Sequence, residues 1–210
     1  MSQDWSKIAK VRCFVAVDTP PALKEQVSQL ISRMRVAQGG QKLKWVKPDG
    51  VHLTLKFLGN VPSAKVTEIE AAVTAAINEL SPAAFDLSLG GLGRFGKPDA
   101  PRVIWLGVEG NKTALNKLQQ TVEKALNPLG FPPENRPYSP HLTLARVPEF
   151  LGREERNALV RLLERYTGSP EVQFGNFSID EVVLMESDRR PDGAVYTPII
   201  HFPFHRKDEG

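Results

Sequence analysis

The tetrapeptide HLTL is written twice in this chain, at His52–Leu55 and at His141–Leu144, 89 residues apart. No other feature constrains the fold as tightly, because the word sits inside a longer repeat. A strand "VRCFVAVD" ends at Asp18, Thr19 is placed to cap a helix with Pro20 at its first position, and Leu23, Val27, Leu30, Ile31 and Met34 then recur on one helical face. An extended piece "LKWV", a turn at "KPDG" and the strand "VHLTLKFLG" come after it. Next are a helix from about Ser63 and a strand from Phe85. The order then starts again: strand "PRVIWLGVEG", helix "NKTALNKLQQTVEKAL", strand "PYSPHLTLARV" and a helix from about Arg153. "VQFGNFSIDEVVLMES" and "VYTPIIHFPF" close the chain as strands, with Asp192-Gly193 as a turn signal between them. Phe85 and Phe174 repeat the same 89-residue offset. The spacing therefore predicts one bilobal domain over 1–210, built from repeat halves at about 11–98 and 101–204. Halves of this kind pack about a pseudo-twofold axis, and the two HLTL strands are expected to face each other across a groove.

On a strand, residues i and i+2 share a face, about 7 Å apart. His52 and Thr54 then point one way while Leu53 and Leu55 point into the core, and His141, Thr143, Leu142 and Leu144 repeat the arrangement. Two such strands surround a small anion with two imidazoles and two hydroxyls. Imidazole titrates near neutrality, so a pair supplies one acid and one base. Phosphodiester hydrolysis needs that set: a base for the attacking water, an acid for the leaving oxygen, and donors for the phosphoryl oxygens. A histidine on a strand is ordinarily structural, and threonine suits any sheet. Yet leucine alone satisfies the core alternation here, and both copies keep histidine and threonine on the other face while their flanks differ. Neither HLTL word forms part of an HxxxH, there is no CxxC, and neither HLTL face carries an acidic partner, which favours a metal-free mechanism.

Composition narrows the setting. Hydrophobic residues at 41% and charged residues at 24% describe an ordinary globular chain. The first ten residues, "MSQDWSKIAK", hold no signal-peptide core, and no apolar run approaches a membrane span. The single cysteine, Cys13, has no disulfide partner within the chain and alternates with Val15 and Val17 as a core residue. These features predict a cytoplasmic, reduced location; a monomer is the expected state, though no feature of the sequence sets it. A net charge of +3 and a pI near 9.0 are compatible with an anionic partner without requiring one.

The segments "KWVKPDGVHLTLKFLGNV" and "RPYSPHLTLARV" resemble the two-histidine phosphoesterases, and within them the bacterial and archaeal RNA 2′,3′-cyclic phosphodiesterases, also called 2′-5′ RNA ligases. "RCFVAVDTP", "GRFGKPDAPRVIWLGV" and "LMES…GAVYTPIIHFPF" extend the likeness from about Arg12 to Phe204. The resemblance implies an α+β, bilobal fold with two antiparallel sheets lining a central cleft and helices outside. It also implies hydrolysis of an RNA 2′,3′-cyclic phosphate to a 2′-phosphomonoester without a cofactor. By motif position, His52 is the expected proton donor to the 3′ oxygen and His141 the expected base. Thr54 and Thr143 are expected to bind phosphate oxygens, and Arg146 to contact phosphate. Arg146 lies five residues past His141, on the opposite parity, so it needs a strand end or bend to reach the cleft. Phe57 stands at the matching point past His52, where the resemblance suggests an aromatic that stacks on a nucleobase. Phe14 is a further candidate, and a core position is the alternative for both.

Other residues carry less. His201 and His205 read as surface or strand-edge residues, Arg189 and Arg190 as hairpin flanks, and Gly90, Gly91 and Gly93 as a connector between halves. Three rival functions share the reading: ligation of 2′-phosphate-linked RNA ends such as tRNA halves, a non-catalytic RNA-end binding module, and hydrolysis of a cyclic nucleotide.

Overall fold

The structure is a computed structural model that describes residues 9–190 and 193–204. The first eight residues, Asp192 of the expected turn, and His205 lie outside the described residues. Among the described residues, nine strands and four α-helices run in order as β1 (Lys10–Asp18), α1 (Pro21–Val36), β2 (Lys44–Trp45), β3 (His52–Pro62), α2 (Val66–Leu80), β4 (Phe85–Lys97), β5 (Ala100–Gly110), α3 (Lys112–Leu126), β6 (His141–Arg146), α4 (Arg153–Tyr166), β7 (Gln173–Ile179), β8 (Glu181–Arg190) and β9 (Gly193–Pro203). All of these strand pairs are antiparallel, in one sheet of order β3-β1-β8-β9 and a second of order β2-β6-β5-β4-β7.

Each helix buries the face its spacing marks out. Val27, Leu30 and Met34 of α1, Ile69 and Val73 of α2, Leu115, Leu118, Val122 and Leu126 of α3, and Leu159 of α4 are all fully buried in one core. The opposite strand parity builds a second, smaller cluster. Cys13, Val15 and Val17 of β1 join the main core, whereas Phe14 and Ala16 pack with Val183 and Met185 on the other face of the same sheet. That second face lines the cleft.

Three local readings change. Pro20, not Thr19, caps α1, with Pro21 at its first position, where a fixed φ and a missing N–H cost nothing. The Thr19 hydroxyl instead donates to the Val51 carbonyl at 2.9 Å and ties the end of β1 to the start of the His52 strand. The stretch Gly90–Lys97 is no connector but the outer half of β4, paired with β5 along its length. Its glycines make room: a Cβ at Gly93 would lie 2.1 Å from the Trp105 ring, so only glycine lets that indole lie across the strand. "VQFGNFSIDEVVLMES" divides at Asp180 into β7 and β8, which enter different sheets.

Sheet membership does not follow the sequence halves. β4, which ends the first half, pairs with β5, while β8 and β9 from the end of the chain complete the sheet of β1 and β3. Each sheet is thus closed by strands from the other half.

Candidate active site

The HLTL strands occupy matching positions. In β3, Asp18 pairs with His52 and Ala16 with Thr54; in β6, Gly107 pairs with His141 and Trp105 with Thr143. Leu53, Leu55, Leu142 and Leu144 are buried while the two histidines and two threonines are half-exposed, as period-2 alternation requires. β3 and β6 approach each other, and Thr54 and His141 line one cavity of about 560 Å³ with Phe57, Phe95, Tyr138 and Ser139.

Beyond each threonine the alternation breaks in the same way. Lys56 pairs with Val15 directly after the Thr54–Ala16 pair, which leaves Leu55 without a partner. Ala145 pairs with Ile104 directly after the Thr143–Trp105 pair, which leaves Leu144 without one. These are β-bulges, in which two consecutive residues, Leu55-Lys56 and Leu144-Ala145, are both buried. Each bulge reverses the parity of the residues after it. Phe57 pairs with Phe14 and Arg146 with Val103, both on the cleft face. The bend that Arg146 needs is therefore present, and an identical one presents Phe57. Phe57 is 55% exposed, an unusual setting for a phenylalanine, whereas Phe14 is 2% exposed beneath it with ring centroids 6.0 Å apart. Arg146 is exposed but lies outside the cavity wall.

The two imidazoles have different surroundings. His141 Nδ1 lies 2.7 Å from the Ser139 carbonyl. A carbonyl only accepts, so Nδ1 carries the proton and Nε2 of the neutral ring is left as a lone pair. Phe95 meets this ring edge-on at 4.7 Å, with Trp105 behind at 6.2 Å. His52 sits in an apolar box: the Phe14 ring is 4.5 Å away and Tyr196 meets it edge-on at 4.8 Å. Its Nδ1 is buried; the Gly50 carbonyl favours its protonated form without reaching hydrogen-bond geometry. Burial lowers the pKa of His52 to about 4, with Lys24 and His141 adding to the effect and Gly50 and Asp18 opposing it. Asp18 is itself neutralised by Lys24 at 2.8 Å.

The wall opposite β3 is tied in by polar contacts. Tyr138 donates its hydroxyl to the Thr54 carbonyl at 3.1 Å, and burial raises its pKa. Lys56, 2% exposed, donates to Glu123 of α3 at 3.1 Å and to the Pro132 carbonyl at 2.8 Å. Sequence reasoning missed Phe95, Trp105, Tyr138, Tyr196 and Lys56. The only signal for them was proximity to the quoted motifs, since their partners lie far away in the chain. Among the described residues no group of three His, Cys, Asp or Glu converges as metal ligands would, and no helix is long and apolar enough to cross a membrane.

On a two-sheet α+β scaffold, the neighbouring strands β3 and β6 each carry an imidazole with a hydroxyl two residues on. The chain belongs to the 2′-5′ RNA ligase superfamily, whose model matches residues 19–191. It is 36% identical over 188 residues to the RNA 2′,3′-cyclic phosphodiesterase of Methanothermobacter thermautotrophicus, covering 90% of this chain and 96% of that one. The enzyme of the same name from Aeropyrum pernix is 35% identical over 168 residues, 79% of this chain and 90% of its own. In fold it is similar to TT0787 of Thermus thermophilus, with a TM-score of 0.68 and 26% identity over 92% of this chain and 97% of that one. It is likewise similar to E. coli LigT complexed with 3′-AMP, with a TM-score of 0.69 and 24% identity over 94% and 100%.

Proposed function

We propose that this protein hydrolyses RNA 2′,3′-cyclic phosphate ends to 2′-phosphomonoesters, with all of the chemistry in one bilobal domain. The observation that carries this is the twin His-x-Thr strand, set at matching register in two sheets that share a cleft. The hydrolase names of relatives that match nearly end to end support the same direction over ligation.

In this reading, His141 is the base. Its Nδ1 proton rests on the Ser139 carbonyl, so Nε2 is the atom that takes a proton from water. The oxygen of that water forms a bond to phosphorus as the bond to the 3′ oxygen breaks on the far side. His52 gives its proton to the departing 3′ oxygen, leaving phosphate on the 2′ oxygen. A ring with a pKa near 4 is neutral in the free protein at neutral pH. The charge of the bound phosphate favours imidazolium, so substrate itself loads the acid. Thr54 and Thr143 donate hydroxyls to the non-bridging oxygens, Arg146 adds positive charge at the phosphate end of the cleft, and exposed Phe57 offers a face for the terminal base. Phe14 acts on substrate through the His52 ring it supports.

The test is a short RNA with a 2′,3′-cyclic end, incubated in EDTA with the wild type, His52→Ala and His141→Ala. We expect a 2′-phosphate product and a loss of about 10²- to 10⁴-fold in each variant. Bound but intact RNA would overturn the reading in favour of a binding module.

A further inference from the structure

The cavity that Thr54, Phe57 and His141 line has a further wall on α3, where Asn116, Gln119, Gln120 and Glu123 follow one another at i, i+3, i+4 and i+7 and so share a face. The three amides are not equivalent. Asn116 and Gln120 are exposed, and a free amide turns over to present either its oxygen or its nitrogen. Gln119 is 6% exposed and fixed, because its side-chain nitrogen donates to Glu123 at 3.2 Å. Glu123 is ion-paired with Lys56 at 3.1 Å, and an ionised carboxylate only accepts. The NH2 group of Gln119 must therefore face Glu123 and cannot exchange places with the oxygen. The Gln119 carbonyl oxygen is left without a hydrogen-bond partner among the described residues. Buried amides ordinarily use both ends.

A fixed acceptor in a cavity wall calls for a donor. Phe57 lines the same cavity and offers its exposed ring to the terminal base, so the donor at hand is on the edge of that base. Cytosine and adenine carry an exocyclic amino group that projects beyond the ring, and uracil carries an oxygen at the same place. An amino group meets the Gln119 oxygen donor to acceptor. A carbonyl meets it lone pair to lone pair, with the Glu123 charge behind adding to the repulsion. Asn116 and Gln120 suit either edge by turning over, and Glu134 and Arg136 of the same wall are exposed and of opposite charge. Only Gln119 discriminates. We infer that Gln119 reads the terminal nucleobase by accepting a hydrogen bond from its exocyclic amino group, so that cyclic ends on cytidine and adenosine are preferred to those on uridine. The inference rests on the cyclic phosphodiesterase reading and adds to it a choice among RNA ends.

The experiment compares kcat/KM for the 2′,3′-cyclic phosphates of cytidine, of uridine, and of the cytidine analogue whose 4-amino group is replaced by hydrogen. Wild type should prefer cytidine to the other two by about tenfold, the weight of one hydrogen bond whose loss leaves a buried acceptor unpaired. Gln119→Met keeps the length of the side chain and removes the acceptor, so it should level the three substrates by slowing cytidine. Asn116→Ala and Gln120→Ala should keep the preference. A ratio of rates within one protein does not depend on how much of it is folded, so a merely structural role for Gln119 would slow all three and leave the ratio in place. The analogue tests the assignment in the unaltered protein. Equal rates for cytidine and uridine in wild type, an analogue hydrolysed as fast as cytidine, or a preference that survives Gln119→Met would overturn the base-reading assignment while leaving the hydrolase reading intact. Hydrolysis of none would overturn both.

Discussion

His52 and His141 are the same residue type in the same word, yet their surroundings separate them. His141 rests on a carbonyl, while His52 is boxed by Phe14 and Tyr196. The difference has a consequence for stability. Folding takes the His52 pKa from about 6.5 down to about 4, so between those values the unfolded chain holds a proton that the folded protein refuses. The contribution is fully present above pH 6.5 and is lost as pH falls through 4, amounting to at most about 3 kcal/mol. Urea midpoints at pH 7 and pH 4.5 should therefore differ less in His52→Gln than in wild type. An equal drop in both would place the acid sensitivity elsewhere, for instance at Glu123. There burial opposes the charge, but the Glu134 N–H, Lys56 and Gln119 outweigh it and hold the carboxylate below its ordinary pKa, so its stabilisation also fades on acidification.

Among the elements, β4 shows how a strand can be shaped by what lies across it. Trp105 of β5 stands opposite Gly93, and the ring covers the space where a side chain would begin. The same indole contacts Phe95 at 5.3 Å and stands behind His141. Gly93→Ala must therefore displace the indole that stands behind His141. A cost of about 1–3 kcal/mol is expected from such overpacking, read as a lower melting temperature together with changed tryptophan fluorescence. Unchanged values would mean that the indole has another place to go. β3 and β6 show the complementary device. A single extra residue in each, Leu55 or Leu144, keeps leucine in the core and turns Phe57 or Arg146 to the cleft.

For the whole molecule, the question is what holds two sheets at a fixed approach when the cleft between them is open. Lys56 answers part of it. From the first HLTL strand it reaches Glu123 on α3 and the Pro132 carbonyl on the segment that leads into the second, while Glu123 also accepts from the Glu134 N–H at 2.9 Å. Such a buried pair contributes little net stability, but breaking one side leaves a stranded charge. Glu123→Gln should thus cost about 3–5 kcal/mol in urea unfolding, with part recovered when Lys56→Met is added. If the double variant is no better than the single one, Glu123 acts mainly through the Glu134 N–H.

Much of this was legible in the sequence, for one physical reason. Strand and helix periods are properties of the local backbone, so the 89-residue repeat, the buried helix faces and the sharing of one face by His52 with Thr54 and by His141 with Thr143 come from spacing alone. A bulge, a strand exchange and a pKa depend on partners remote in sequence. Spacing placed Arg146 on the wrong parity because nothing in "HLTLAR" marks Leu144 as the residue without a partner; β5 decides that. The continuous reading from Val172 through Ser187 missed the crossing at Asp180 because both sides of it are good strand sequence. The two copies of HLTL determined that two imidazoles would each share a strand face with a hydroxyl. Only the tertiary structure decided that they would differ, because desolvation is set by the rings that surround each histidine and not by the residues beside it in the chain.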